Sequence, residues 1–150
     1  MKNSMKALFA ISLLSISSLS VAKAIKGTNY QSPSCGCCTE WVDHMEENGF
    51  DLDIVYKQDI IPVKVDLGIQ PQYASCHTAE IGGYTFEGHV PAEEILRFIE
   101  SKPERMIGLA VPGMPMGSPG MEYNNQKDPY EVLAFDEDGK TMVWSRHNQS

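Results

Sequence analysis

The chain contains no internal repeat and no low-complexity segment, which excludes repeat arrays and fibrous architectures. It has no H-E-x-x-H, no G-x-S-x-G and no glycine loop of the kind that cradles phosphate. Ser, Asp and His are present, but nothing in their spacing suggests a hydrolytic triad. No apolar run reaches the roughly 20 residues that a bilayer span requires. Basic residues are few, 12 Lys and Arg against 20 Asp and Glu, for a formal charge of −8. That balance argues against nucleic acid or an anionic membrane surface as a partner. The acidity is spread along the chain and forms no tail, so it reads as solubility with weak attraction for cations. What is present is 150 residues, enough for one domain with one core.

The first residues read as a secretory signal peptide. Lys2 and Lys6 supply a basic start, residues 7–14 an apolar run, and Ala22-Lys23-Ala24 a small-x-small cleavage site. No cysteine stands there to carry a lipid. Cleavage after Ala24, or after Ala22, leaves no membrane span. Loss of Lys2, Lys6 and Lys23 takes the formal charge from −8 to −11. The expected organisation is a signal peptide over 1–24 and a single domain over 25–150.

Along that domain, residues 25–30 can form a strand that runs into Ser32-Pro33-Ser34 and the cysteines. Residues 38–48 have helical periodicity, with Trp41, Val42 and Met45 on one face. Residues 51–57 alternate as a strand, and 60–69 fit either a strand or a short helix. Residues 73–78 read as loop and 84–90 as a strand. Pro91 suits a helix's first turn, ahead of a helix over 92–101 with Ile95, Leu96, Phe98 and Ile99 facing a core and Glu93 paired with Arg97. Residues 107–111 form a short strand, and 131–136 with 141–145 a terminal β-hairpin. Strands alternating with helices predict an α/β fold, a mixed sheet with flanking helices. A cysteine turn between the first strand and the first helix is the thioredoxin-like arrangement. Such a turn is expected to face a cis-proline, for which Pro91 and Pro112 are the candidates.

The chemistry concentrates in four cysteines, three of them within four residues: Cys35, Cys37, Cys38 and the distant Cys76. The first three straddle a predicted helix N-terminus, whose free N–H groups and dipole favour thiolate. Crowded thiolates repel one another, and a bound cation offsets that repulsion. Thiolates select soft metals: Cu(I), zinc or iron–sulfur clusters. A C-x-x-C frame alone suggests thiol–disulfide exchange, but a third thiol inside it offers a competing resolving group. Structural disulfides are the bland alternative in an exported chain; adjacent Cys37 and Cys38 make a poor pair. Cys76 alone would read as a buried thiol, and beside such a cluster it reads as a fourth ligand.

Residues 111–121 place Met114, Met116 and Met121 within eight residues among Gly and Pro. Methionine is usually core filler, yet this loop has little other apolar content. Thioether sulfur suits Cu(I) and poorly suits zinc. Met45 and Met106 fit core positions. Of the four histidines, His77 and His89 are candidate ligands or supports, while His44 and His147 read as solvated.

Several segments together, Ser34-Cys35-Gly36-Cys37-Cys38, Tyr73-Ala74-Ser75-Cys76-His77-Thr78-Ala79, Gly88-His89-Val90-Pro91-Ala92 and residues 108–122, resemble the CopG-type family of periplasmic copper-resistance proteins, long catalogued as a domain of unknown function. The resemblance runs from about Tyr30 to Trp144. It implies a thioredoxin-like fold in the periplasm and a role in copper tolerance beside efflux pumps and copper oxidases. It also implies copper binding by Cys35, Cys37, Cys38 and Cys76, as a multinuclear, redox-active copper–thiolate cluster. Four thiolates can equally hold a single metal tetrahedrally. The expectation is a protein that binds several Cu(I) ions per chain, with Met114 and Met116 covering the site. The alternative is an oxidoreductase using Cys35 and Cys38.

Overall fold

The computed structural model describes residues 23–149. The signal peptide expected over 1–24 therefore lies, up to residue 22, outside the described residues. The strands are β1 (Ile25–Gln31), β2 (Phe50–Tyr56), β3 (His77–Ile81), β4 (Tyr84–Glu87), β5 (Met106–Ala110), β6 (Tyr130–Asp136) and β7 (Thr141–His147). The helices are α1 (Gly36–Glu47), α2 (Ile61–Asp66) and α3 (Ala92–Ser101), with a single 3-10 turn at Pro71–Tyr73.

The strands form one mixed sheet in the order β2-β1-β3-β4-β5-β6-β7. β1 pairs in parallel with β2, and β4 with β5; the other neighbours are antiparallel. Alternation along each strand sends successive side chains to opposite faces. One face carries Ala79, Ile81, Phe86, Leu109 and Ala134, covered by Trp41, Val42 and Met45 of α1 and Ile95 and Phe98 of α3. The other carries Ala110 and Phe135, covered by Ile69 and Tyr73 from the stretch that follows α2. The C-terminal hairpin forms as expected, turning at Gly139 with φ +76°.

Several expectations change. The 60–69 stretch holds α2, which opens with Pro62 in its first turn. The loop expected over 73–78 ends at Cys76, because His77 and Thr78 are already in β3, where cross-strand pairing to Gln31 and Tyr30 satisfies their backbone. Pro91 caps α3 from just outside it. Arg97 pairs with Glu94, one turn back, and not with Glu93. Leu96 is exposed at the rim, since Ile95 and Phe98 fill the inward stripe. Among the described residues every peptide bond is trans, those preceding Pro91 and Pro112 included, so neither fills the expected cis-proline role.

Candidate metal centre

The site lies where the end of β1, the start of α1 and the start of β3 meet. The β1 strand ends at Gln31, and a turn through Ser32 to Cys35, closed by the Cys35 N–H donating to the Ser32 carbonyl at 3.1 Å, starts α1. Cys35 is the N-cap and makes no side-chain capping bond; no acidic residue lies in the first turn. The N–H groups of that turn therefore keep their attraction for negative charge. Below it, Asn29 donates to Gln31 and Gln31 to Thr39 of α1, at 2.7 and 3.0 Å.

Cys76 reaches the same place from the position just before β3. Glu87 is completely buried, and its Oε1 accepts from Lys64 Nζ and from the Ser75 N–H, while Oε2 accepts from Thr78 Oγ1 at 2.6 Å. This ion pair between α2 and β4 fixes the backbone one residue before Cys76. Gly88 is required beside it: its φ is +71°, and a Cβ would stand 2.5 Å from Ser75 Oγ. In sequence the pair gave no signal, because a lysine in an ambiguous ten-residue stretch and a glutamate at a strand end both read as surface groups.

The four predicted sulfurs are brought together. One ligand atom each from Cys35, Cys37, Cys38 and Cys76 lies within 4.8 Å of the others. Cys35 and Cys38 are joined as a disulfide, while Cys37 and Cys76 are free. Cys37 Sγ stands 3.6 Å from Cys35 Sγ. Burial pushes the Cys76 thiol up to about 12, and nearby Cys37 adds to the shift. The metal-free thiol therefore keeps its proton at neutral pH, and a metal must displace it.

Both candidate histidines belong to this centre. His77 and His89 are fully buried, with His77 Nδ1 at 3.3 Å and His89 Nε2 at 3.1 Å from Cys76 Sγ. Burial holds both rings below the ordinary imidazole value, for His77 well below it, so both stay neutral and able to coordinate. His44, expected to be solvated, is half-buried, and its Nε2 accepts the Ala92 N–H at the start of α3 at 3.1 Å. His147, also expected to be solvated, is partly buried and lies 3.2 Å from Glu94 Oε1.

The 111–121 segment touches both cysteine segments. Ser75 Oγ donates to the Gly113 carbonyl, and Gly120, at φ +80°, lies so close to α1 that a Cβ would stand 2.8 Å from the Cys37 carbonyl oxygen. Pro119 O lies 2.8 Å from His89 Nδ1. Met114 is exposed and borders a surface groove with Asp128 and Tyr130, whereas Met116 and Met121 are partly buried. Among the described residues no helix is long and apolar enough to cross a membrane.

A family described as a protein of unknown function, DUF411, matches residues 73–121, the stretch that carries Cys76, His77, His89 and the methionines. Two solved structures named copper resistance protein CopG, forms 2 and 1, are similar throughout. The first is 38% identical over 83% of this chain and 99% of its own, with a TM-score of 0.79. The second is 37% identical over 85% of this chain and 100% of its own, also at 0.79. No curated protein sequence matches the chain.

Proposed function

Because the chain belongs to the family of the copper resistance protein CopG, we propose that it handles copper, holding several ions as Cu(I) between Cys35, Cys37, Cys38 and Cys76. The observation that carries this reading is the gathering of four sulfurs from two distant segments within 4.8 Å of one another. Sulfurs around one ion or a small cluster stand about 3.8 Å apart, given metal–sulfur bonds near 2.3 Å. The set fits a soft cation once the Cys35–Cys38 disulfide is reduced. Thiolate is the ligand class that selects Cu(I). Met114 and Met116 lie on the segment tied to both cysteine-bearing stretches; the partly buried Met116 is the better candidate to cover the metal, and the exposed Met114 would have to turn inward from its groove to do so. The basic start, apolar run and Ala22-Lys23-Ala24 site support export to the periplasm. There copper ions, and efflux or oxidase components, are the partners. The cysteine turn between β1 and α1 is the placement used by thioredoxin-like folds, and it supports that finer description.

One observation favours a second reading. The disulfide closes the C-x-x-C frame from Cys35 to Cys38 and leaves Cys37 out. This is the pairing a thiol–disulfide oxidoreductase would use.

Copper stoichiometry separates the two. The mature chain is reduced without oxygen, loaded with Cu(I), desalted and analysed for copper. More than one ion retained per chain is the expected result. A chain that keeps all four thiols and retains no copper overturns the proposal and leaves exchange as the function, to be read by insulin reduction.

A further inference from the structure

One free thiol stands directly against the disulfide. Cys37 Sγ lies 3.6 Å from Cys35 Sγ, in van der Waals contact with one end of the Cys35–Cys38 bond. The other free thiol is engaged elsewhere: Cys76 Sγ has His89 Nε2 at 3.1 Å and His77 Nδ1 at 3.3 Å. Cys37 is therefore the sulfur placed to enter the bond.

The backbone permits the new pairing. Residues two apart along a helix have Cα atoms about 5.4 Å apart, inside the roughly 4.4–6.8 Å that a disulfide spans, although their side chains normally diverge. Cys35 escapes that divergence because it is the N-cap: its backbone is extended, with φ −86° and ψ 90°, and its sulfur meets that of Cys37. Beyond its chain neighbours and its own helix, Gly36 has no heavy atom within 4 Å of the place a Cβ would take. The peptide between the two cysteines thus has room to turn as their sulfurs close to the bonded distance of about 2.05 Å. The first turn of α1 carries no acidic side chain, so its free N–H groups stabilise both the thiolate that attacks and the thiolate that leaves. The departing sulfur has an acceptor waiting: the Cys76 carbonyl stands 3.8 Å from Cys38 Sγ, within reach of a thiol proton.

We propose that Cys37 is the nucleophile of an internal disulfide exchange that carries the bond from Cys35–Cys38 to Cys35–Cys37. Cys37 gives its proton to solvent and attacks Cys35 Sγ as thiolate. The Cys35–Cys37 bond forms, the Cys35–Cys38 bond breaks, and the Cys38 thiolate takes up a proton. Nothing is oxidised or reduced overall. The exchange moves the bond outward, since Cys38 is fully buried whereas Cys35 and Cys37 are both partly exposed. In the second isomer a thiol reductant can reach either sulfur. Reduction of an outside disulfide needs only Cys35 and Cys38; this activity lies inside the centre, uses no metal and goes beyond both readings of its function.

The test uses the mature, metal-free chain with one disulfide and two free thiols counted. It is held near pH 8 without oxygen or added thiol, unfolded in acid and alkylated there with a maleimide. The disulfide is then reduced, the released thiols take a second label, and fragmentation in the mass spectrometer places each label. The expected result is the first label on Cys38 in at least about 1% of chains, the population of a minor state in exchange with a major one, with a matching loss at Cys37. Cys38→Ser removes the competing partner. Oxidised in air, it should join Cys35 to Cys37 and keep Cys76 as its one free thiol, with near-ultraviolet circular dichroism to establish that it is folded. First label on Cys37 and Cys76 alone in the wild type overturns the exchange. So does a folded Cys38→Ser protein that keeps three free thiols or joins Cys76 to either neighbour. If that variant does not fold, the wild-type labelling decides by itself. No metal is present at any stage, so failure of the copper reading leaves this result standing.

Discussion

Single residues separate the competing chemistries at this centre. Exchange needs only Cys35 and Cys38, whereas a metal set uses the intervening Cys37. Cys37→Ala is therefore expected to lose Cu(I) retention after desalting while keeping insulin reduction by Cys35 and Cys38; undiminished copper loading would remove Cys37 from the site. His44 sets a different balance. Burial holds its imidazole below the ordinary value near 6.5, against the pull of Glu122, Glu93 and Glu47. The unfolded chain takes up its proton first, so stability present above about pH 6.5 is lost as pH falls through the lower folded value. His77 and His89 shift in the same direction. Denaturant midpoints of the metal-free protein should fall between about pH 7.5 and about pH 5.5. His44→Gln, which can still accept the Ala92 N–H, should show a smaller fall. The four cysteines were legible because their spacing is local and their type is rare. The role of His44 was not, because its partner lies 48 positions along the chain and is a backbone group.

The α2 helix buries no apolar residue of its own, and Ile61 and Val65 are exposed. Its inward link is Lys64, whose Nζ meets Glu87 Oε1 and Thr78 Oγ1. A buried charge left without its partner costs about 3–5 kcal/mol, whereas replacing both charges by apolar groups is often neutral. Lys64→Met should lower unfolding free energy by about that amount, and the Lys64→Met, Glu87→Leu pair should recover much of it. Both are measured by chemical denaturation. If the pair is as damaging as the single change, packing and not charge is what α2 supplies. Strong periodicity made α1 and α3 readable, and strict alternation did the same for β2 and the hairpin. β3 was harder: its first residues follow Ser and Cys, and Thr78 is buried as well as His77 and Ala79 because both faces of the sheet are covered there. A strand covered on both faces loses the period-two signal.

For the molecule as a whole, α/β class and a mixed sheet followed from the order of elements. The strand order did not, since β1 inserts between β2 and β3 and is parallel to one and antiparallel to the other. That insertion carries Cys38 to within 3.8 Å of the Cys76 carbonyl. Cargo held between two such segments stabilises only the folded chain. At free Cu(I) about a thousandfold above Kd, the gain is about 4 kcal/mol, and the reduced protein's thermal midpoint should rise by on the order of 10 °C. A chelator should reverse the rise, and an unchanged midpoint would show that the folded centre does not hold the ion. The placement of Trp41 has a practical consequence. The chain has two tryptophans, and Trp41 packs its indole against His77 while Trp144 lies across the core beside Phe98 and Arg97. In a Trp144→Phe background the remaining emission comes from a fluorophore touching the residue beside Cys76, so events at the sulfurs can be timed in stopped flow without any attached dye.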